Sequence, residues 1–427
     1  MKWIYGKQDW KSFERGQENC YLLTNGLGGF SSATMIGSVS RNDHALLMAC
    51  VHAPNHRYNM VHRLSEQVTL EGDSHMISSQ EFADGTREDG WRYLEEFSYE
   101  DTPVWRFLVE GVQVRKEISV EQGTNTAAVC YEITNRSSRM CDFTVTPFFQ
   151  FTPKGSEPKP SQVFEREEGC VRSNGLSLYF WTDAEVKAIP EISEVYFYSY
   201  DDCDGRRSTG LAKANHRICK AVNPGEKCRL ELVYSMETAE KKAASVLAGH
   251  RAYRKKLEEL ADFSSELAAF LAKSANQFVS RRESTDGETI LAGFPFFEDW
   301  GRDTMIALPG ICISTRQYGT AREILRTFAA YEKDGLMPNL FPEGEEAPLY
   351  NTVDAALLFI NCIYLYYQAT GEKTFVREMY PVAERIVKSY RQGTHFGIHM
   401  DEDGLIMAGQ ELDQVTWMDV RVGEFLP

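Results

Sequence analysis

No run of eighteen apolar residues occurs in the 427-residue chain, so no segment reads as a helix that spans a membrane. The opening stretch, MKWIYGKQDWKSFERGQENC, is broken by charges every few positions and does not read as a secretory leader. Positive charge is in short supply. Lys and Arg number 46 against 62 Asp and Glu, a net charge of −16. Such an acidic field repels nucleic acid and anionic membrane surfaces, which leaves a neutral partner as the better fit. The ten cysteines are scattered singly with no C-x-x-C pair. That is the usage of reduced thiols in a cytoplasmic protein rather than of a disulfide framework or a cysteine metal site. His44, His52, His56 and His62 lie close together, but their spacings of 8, 4 and 6 repeat no zinc pattern, and HAPNHRY contains a proline. Neither G-x-G-x-x-G, G-x-x-x-x-G-K-[ST] nor G-x-S-x-G occurs, so nucleotide cradles and a nucleophile elbow find no support. TNGLGGFSS at 24–32 has glycines but no helix pattern after it, and reads as a β-turn. No cofactor and no metal are expected.

What the chain does contain falls into two regimes. Up to about residue 236 the pattern is β. Val112, Val114, Ile118 and Val120 in VQVRKEISV alternate at period two, as do Phe143, Val145, Phe149 and Phe151 in CDFTVTPFFQF. SLYFWTD and EVYFYSY add two short β-rich runs. Turn clusters such as NRSS, DDCDGRRSTG and NPGEK separate them, the punctuation of a β-sandwich. Residues 237–262 are rich in Ala, Lys, Glu and Leu without proline and read as a linking helix. From 263 to 427 the period is helical. Apolar stripes run through Leu267, Phe270, Leu271 and Phe278, then Ala321, Ile324, Leu325 and Phe328. Two more run through Val353, Ala356, Leu357, Ile360 and Tyr364, and through Phe375, Met379, Val382, Ile386 and Tyr390. With a further helix at about 302–316, five helices are expected. The connections at 284–301, 335–350 and 395–420 are long and rich in Gly, Pro, aromatics and acids, while those at 317–320 and 370–373 are short. That alternation suits stacked helical hairpins whose long loops gather at one end, where function concentrates.

Three stretches carry candidate chemistry. FPFFEDWGRDT at 294–304 sets Glu298, Asp299, Trp300, Arg302 and Asp303 side by side. One reading is a helix start capped by Asp299 or Asp303. The other is a sugar clamp: carboxylate acceptors and a guanidinium fork for the hydroxyl rim, with an indole platform for the apolar face. GLMPNLFPEGEEAPLYNTVDA at 335–355 places Asn339 and Asn351 beside Phe341 and Tyr350, with Asp354 just inside the next helix. Here Asn351 also reads as an N-cap and Asp354 as a first-turn acid. In DGLIMAGQELDQVTWMD, Asp419 follows Trp417 and Met418. An apolar setting raises a carboxyl pKa, as a general acid requires, although a lone Asp there is also compatible with a structural role.

Taken together these motifs resemble the shorter, prokaryote-type glycogen debranching enzymes, the amylo-α-1,6-glucosidase family. NGLGGFSSATMIGSVSRNDHALLMA, FFEDWGRDTMIALPG, GLMPNLFPEGEEAPLYNTVDA and VTWMD run in the family's order across nearly the whole chain. The resemblance implies a multidomain β + α fold. An N-terminal β-supersandwich (1–236) and a linker helix (237–262) would precede the N-terminal half of an (α/α)6 toroid of the six-hairpin glycosidase type (263–427). It implies hydrolysis, with inversion, of an α-1,6-linked glucose stub on glycogen or an α-glucan limit dextrin. Asp419 would be the general acid, and Trp300, Arg302, Asp303, Asn339, Asn351, Asp354 and Trp417 would line the sugar site.

The resemblance also implies an incomplete toroid. Twelve helices are expected of it, and the chain supplies five before Pro427. Inversion needs a second carboxylate about 6.5–9.5 Å from the first, and neither Glu411 nor Asp413 is assigned that role. A chain truncated within the catalytic barrel would be inactive alone, with the missing C-terminal half, as a separate chain, a candidate partner. Two other classes stay open: a noncatalytic glucan-binding or interaction protein, and another helical-barrel enzyme such as a glucoamylase-like hydrolase or an inverting disaccharide phosphorylase. The other helical-barrel enzymes are disfavoured because GLMPNLF, YNTVDA and TWMD fit debranching enzymes better, and a phosphorylase would need a basic phosphate site in place of the base.

Overall fold

A computed structural model describes residues 1–238, 240–340, 348–409 and 415–417. The chain divides into two compact units, Met1–His52 with His56–Lys255, and Ala53–Asn55 with Lys256–Pro427.

The first unit is built from two large antiparallel sheets, one of nine strands and one of eight. Its long strands are those whose period-two pattern is clearest. Val112–Val120 pairs in register with Thr126–Asn135, and Thr126–Asn135 with Lys227–Ser235, at the centre of the nine-stranded sheet. In the other sheet Cys141–Pro153 lies between His56–Leu70 and Thr209–Val222. Alternate residues point to opposite faces of a strand. One face of each sheet therefore meets the other in a single core, with Leu47, Val61 and Phe143 from one side and Trp105, Val129 and Leu232 from the other. At about 25 cal/mol per Å² of apolar area removed from water, such a core is the main stabilising term of the sandwich. TNGLGGFSS closes the hairpin between Cys20–Thr24 and Phe30–Thr34, in line with a β-turn there.

The helix Ala243–Ala261 is more than a link. Ala243, Val246 and Leu247 are buried against Ala128 and Val233 of the nine-stranded sheet. His250 lies at hydrogen-bond distance from the carbonyl oxygens of Val120 and Asp101.

Among the described residues, the second unit contains the hairpin Val279–Arg282/Gly287–Ile290 and five principal helices after residue 265. These are Glu266–Ala275, Gly301–Leu308, Tyr318–Ala330, Ala355–Thr370 and Lys373–Gln392. The expected 302–316 helix is shorter than its sequence suggested. It is α-helical to Leu308, and Pro309–Ile313 continues it as a wider turn, because Pro309 offers no N–H to the α ladder. The stripes of Tyr318–Ala330 and Lys373–Gln392 are buried as expected, and meet Phe359, Cys362 and Tyr366 in a second core. Two other stripes come out differently. Leu267 and Leu271 are exposed while Ala269, Phe270 and Ala272 are buried, and Tyr364 is 57% exposed while Phe359 and Tyr366 are buried. A helix apolar on more than one face leaves the choice of buried face to its neighbours.

No helix is long and apolar enough to cross a membrane among the described residues.

Candidate functional site

The hairpin Val279–Arg282/Gly287–Ile290 fixes the start of EDWGRDT. Asp299 is fully buried. Its Oδ2 accepts from Arg282 Nη1 at 2.7 Å and from Thr289 Oγ1 at 3.2 Å, and its Oδ1 accepts from Asn55 Nδ2 at 3.2 Å. Burial pushes the Asp299 carboxyl up to about 6, against the pull of the Arg282 guanidinium. Asp299 is therefore an interior anchor and not the helix cap. The cap position falls to Trp300, whose extended backbone makes no side-chain capping bond. Instead the Gly301 N–H donates to the Asn339 carbonyl at 2.8 Å, satisfying one of the first-turn donors with backbone from another segment. That approach requires glycine, since a Cβ at 301 would collide with the Pro338 carbonyl oxygen.

Next in the helix, Arg302 is only 7% exposed. Its Nε donates to Asp354 Oδ2 at 2.7 Å, and its Nη2 reaches the Val415 carbonyl at 3.5 Å. Asp354 is the N-cap residue of Ala355–Thr370, just outside the helix rather than inside it, and makes no capping bond. The carboxylate turns instead to Arg302, where donor and acceptor are both charged and an ion pair adds to the hydrogen bond. Asn351, three residues earlier, is not the cap. Its Oδ1 accepts from Asn339 Nδ2 at 3.3 Å. Leu340 pairs with both Trp300 and Leu349, and Val353 N–H donates to the Val415 carbonyl at 3.0 Å. Segments remote in sequence, 299–303, 339–340, 349–354 and 415, thus meet. Three buried side-chain atoms there, Asp354 Oδ1, Asn339 Oδ1 and Thr352 Oγ1, have no hydrogen-bond partner among the described residues. A buried polar atom without a partner is uncommon and calls for an explanation.

The structure brings Trp300, Arg302, Asn339, Asn351 and Asp354 together. Asp303 is exposed in the first turn, one residue and roughly 100° round the helix from Arg302. Trp417 is 72% exposed. Asp419, like Glu411 and Asp413, lies outside the described residues. Sequence reasoning missed Arg282, Thr289 and Asn55, which anchor Asp299. No local pattern marks them, and Asn55 is 244 positions away. No cluster of His, Cys, Asp and Glu suited to a metal occurs among the described residues.

Comparison with known proteins gives this geometry a context. A family model described as "Glycogen debranching enzyme N terminal" matches residues 19–228, and one described as "Amylo-alpha-1,6-glucosidase" matches residues 273–426. A glycogen debranching enzyme of Saccharomyces cerevisiae (strain ATCC 204508 / S288c) is 29% identical over 213 residues. That match takes in 36% of this chain and 14% of the yeast protein, so the chain represents a small part of that relative's length. Among solved structures, a provisionally assigned kojibiose phosphorylase from the human microbiome superposes with a TM-score of 0.50 at 9% identity. It covers 94% of this chain and 60% of the other, a likeness of fold alone. A bacterial glucoamylase complexed with acarbose gives a TM-score of 0.44 at 11% identity, over 88% of this chain and 58% of that one. The two family models lie in the order in which the motifs run, one on the β-sandwich and one on the helical region. The chain belongs to the glycogen debranching enzyme / amylo-alpha-1,6-glucosidase family.

Proposed function

We propose that the chain is the α-1,6-glucosidase part of a debranching enzyme, and that its helical unit is half of an (α/α)6 toroid. Its substrate is the single glucose left at a branch point of glycogen or an α-glucan limit dextrin, hydrolysed with inversion. The observation that carries this reading is the Arg302–Asp354 pair set beside Asn339 and Asn351. Asp354 fixes the guanidinium, and Asp354 Oδ1 and Asn339 Oδ1, which have no hydrogen-bond partner among the described residues, are acceptors. A terminal glucose presents a rim of hydroxyl donors that matches them, and the Trp300 ring offers a surface to its apolar face. Asp303, on the exposed side of the same helix turn, and Trp417 complete the wall. Asp419 protonates the glycosidic oxygen as the bond breaks. Inversion then needs a second carboxylate to activate water. No residue from 1 to 427 takes that role by the family pattern, so this stretch alone is expected not to release glucose. Ten cysteines scattered singly along the sequence support a reducing compartment such as the cytoplasm.

The test pairs two substitutions with two substrates, in the complete form of the enzyme. Asp419→Asn should lower kcat strongly on a limit dextrin and far less on α-glucosyl fluoride, whose leaving group needs little protonation. Asp303→Asn should lower kcat/KM on both alike, because it loosens the sugar itself. Equal damage by Asp419→Asn on the two substrates would remove it as the acid. No effect of Asp303→Asn would leave it a helix-start residue only.

A further inference from the structure

A groove lies in the helical unit, apart from the site residues discussed above. It is open to solvent and offers about 440 Å³ between the turn of the Val279–Arg282/Gly287–Ile290 hairpin and the helix Tyr318–Ala330. That volume is within the range of roughly 300–1,000 Å³ usual for small-molecule sites. We propose that this groove is an accessory binding site for a neutral, polyhydroxylated ligand, a short run of glucose units on an α-glucan arm.

The lining carries the argument. Thr285 and Thr327 face each other across the groove floor, their hydroxyls 3.1 Å apart. The floor can be this close because residue 287 is glycine, where a Cβ would already press on Thr327 Oγ1 at 3.0 Å. Asp286 and Glu323, both exposed, place carboxylate acceptors on the walls, and Tyr331 adds an aromatic ring. The one guanidinium of the lining, Arg326, is committed elsewhere: its Nε and Nη2 donate to the two carboxylate oxygens of Glu378 at 2.8 and 2.9 Å. Asp286 Oδ1 in turn accepts from Arg281 Nη2 at 2.9 Å, so both guanidiniums at the groove are held by carboxylates, and Glu323 adds a negative charge that disfavours phosphate and other anions. Hydroxyls, carboxylate acceptors and one aromatic ring are what a sugar's rim and face require. The assignment rests on the α-glucan reading above but concerns different residues, so the two can fail separately.

The test is hydrogen–deuterium exchange of the 427-residue chain with maltoheptaose as probe, in the wild type and two variants. Asp286→Asn/Glu323→Gln keeps size and keeps a residue tolerant of the left-handed backbone at 286 (φ 47°), while removing both charges. Arg302→Ala disables the site described above. The expected result is slowed exchange at 283–287 and 323–331 that persists in Arg302→Ala and needs at least tenfold more maltoheptaose in the double variant. Protection of 299–303 and 339–340 alone would overturn the groove and leave the glucan reading standing. Protection of neither region would overturn both. Protection of 283–287 by inorganic phosphate in place of maltoheptaose would overturn the neutral-ligand assignment.

Discussion

The Arg282–Asp299 pair should behave as the keystone of the helical unit, and its energetics can be worked out in advance. Asp299 has no solvent exposure and Arg282 very little, with their atoms 2.7 Å apart. Replacing a buried pair by neutral groups of similar size is often nearly free, whereas removing one partner costs about 3–5 kcal/mol. Arg282→Met leaves Asp299 with the neutral donors of Thr289 and Asn55, and Asp299→Asn takes the carboxylate from Arg282. Each single variant should lose about 3–5 kcal/mol, and the double variant Arg282→Met/Asp299→Asn less than either, a coupling above about 2 kcal/mol. The pH dependence gives an independent check. With its folded pKa raised to about 6, Asp299 favours the folded state at low pH, and that contribution is lost as pH rises through 6. In Arg282→Met the pKa climbs further, so the loss continues above pH 6 where the wild type has levelled off. The penalty of the single variant should therefore grow by about 2 kcal/mol between pH 5.5 and 7.5. Cys312 and Cys362 are the cysteines of this unit and are both buried, so their labelling rate in urea reports its opening. Additive single-variant costs, or a penalty that shrinks with rising pH, would refute the reasoning.

Three further outcomes are expected. Gly301→Ala should cost about 1–3 kcal/mol by driving a methyl into the Pro338 carbonyl, read by the same cysteine labelling, and wild-type stability would show that this contact yields freely. In the β-sandwich, burial holds His44, His62 and His216 down at about 3, so their contribution is present above pH 6.5 and lost as pH falls towards 3. Each should cost about 2 kcal/mol by pH 5, opposed in part by Asp43 and Glu194, whose carboxyls burial raises. His216→Phe, stacked between Phe149 and Phe180, should remove about a third of the acid loss seen in urea titrations of the first unit. An unchanged slope would mean that His216 charges freely in the folded protein. Finally, a fragment 1–255 should unfold at higher urea than 1–238, because Val246 and Leu247 cover Val233, and equal midpoints would make the helix a mere connection.

Much of this protein could be read from local pattern. Alternation at Val112–Val120 and Cys141–Pro153 specifies strands buried on at least one face, because side chains of a strand must alternate. The stripe Phe375, Met379, Val382, Ile386 and Tyr390 specifies a helix and its buried side without reference to anything else. The motifs around Trp300, Asn339 and Asp354 are contiguous strings, so their kinship was legible as well. What the sequence could not decide is partnership. Asp299 and Asn351 each sit where a helix cap is the locally reasonable role, and Asp354 where a first-turn acid is; neither of the first two is the cap, and Asp354 holds the cap position without a side-chain capping bond. Asp299 is taken by Arg282, Thr289 and Asn55, Asp354 by Arg302, and Asn351 by Asn339. Each choice sets a local hydrogen bond against a longer-range one that only the folded chain makes available, and in two of the three the winner carries charge. The same holds for Leu271 and Tyr364, apolar residues on helices apolar on more than one face. Period and composition made those segments helical, but which face went inward was settled by the elements that came to lie against them.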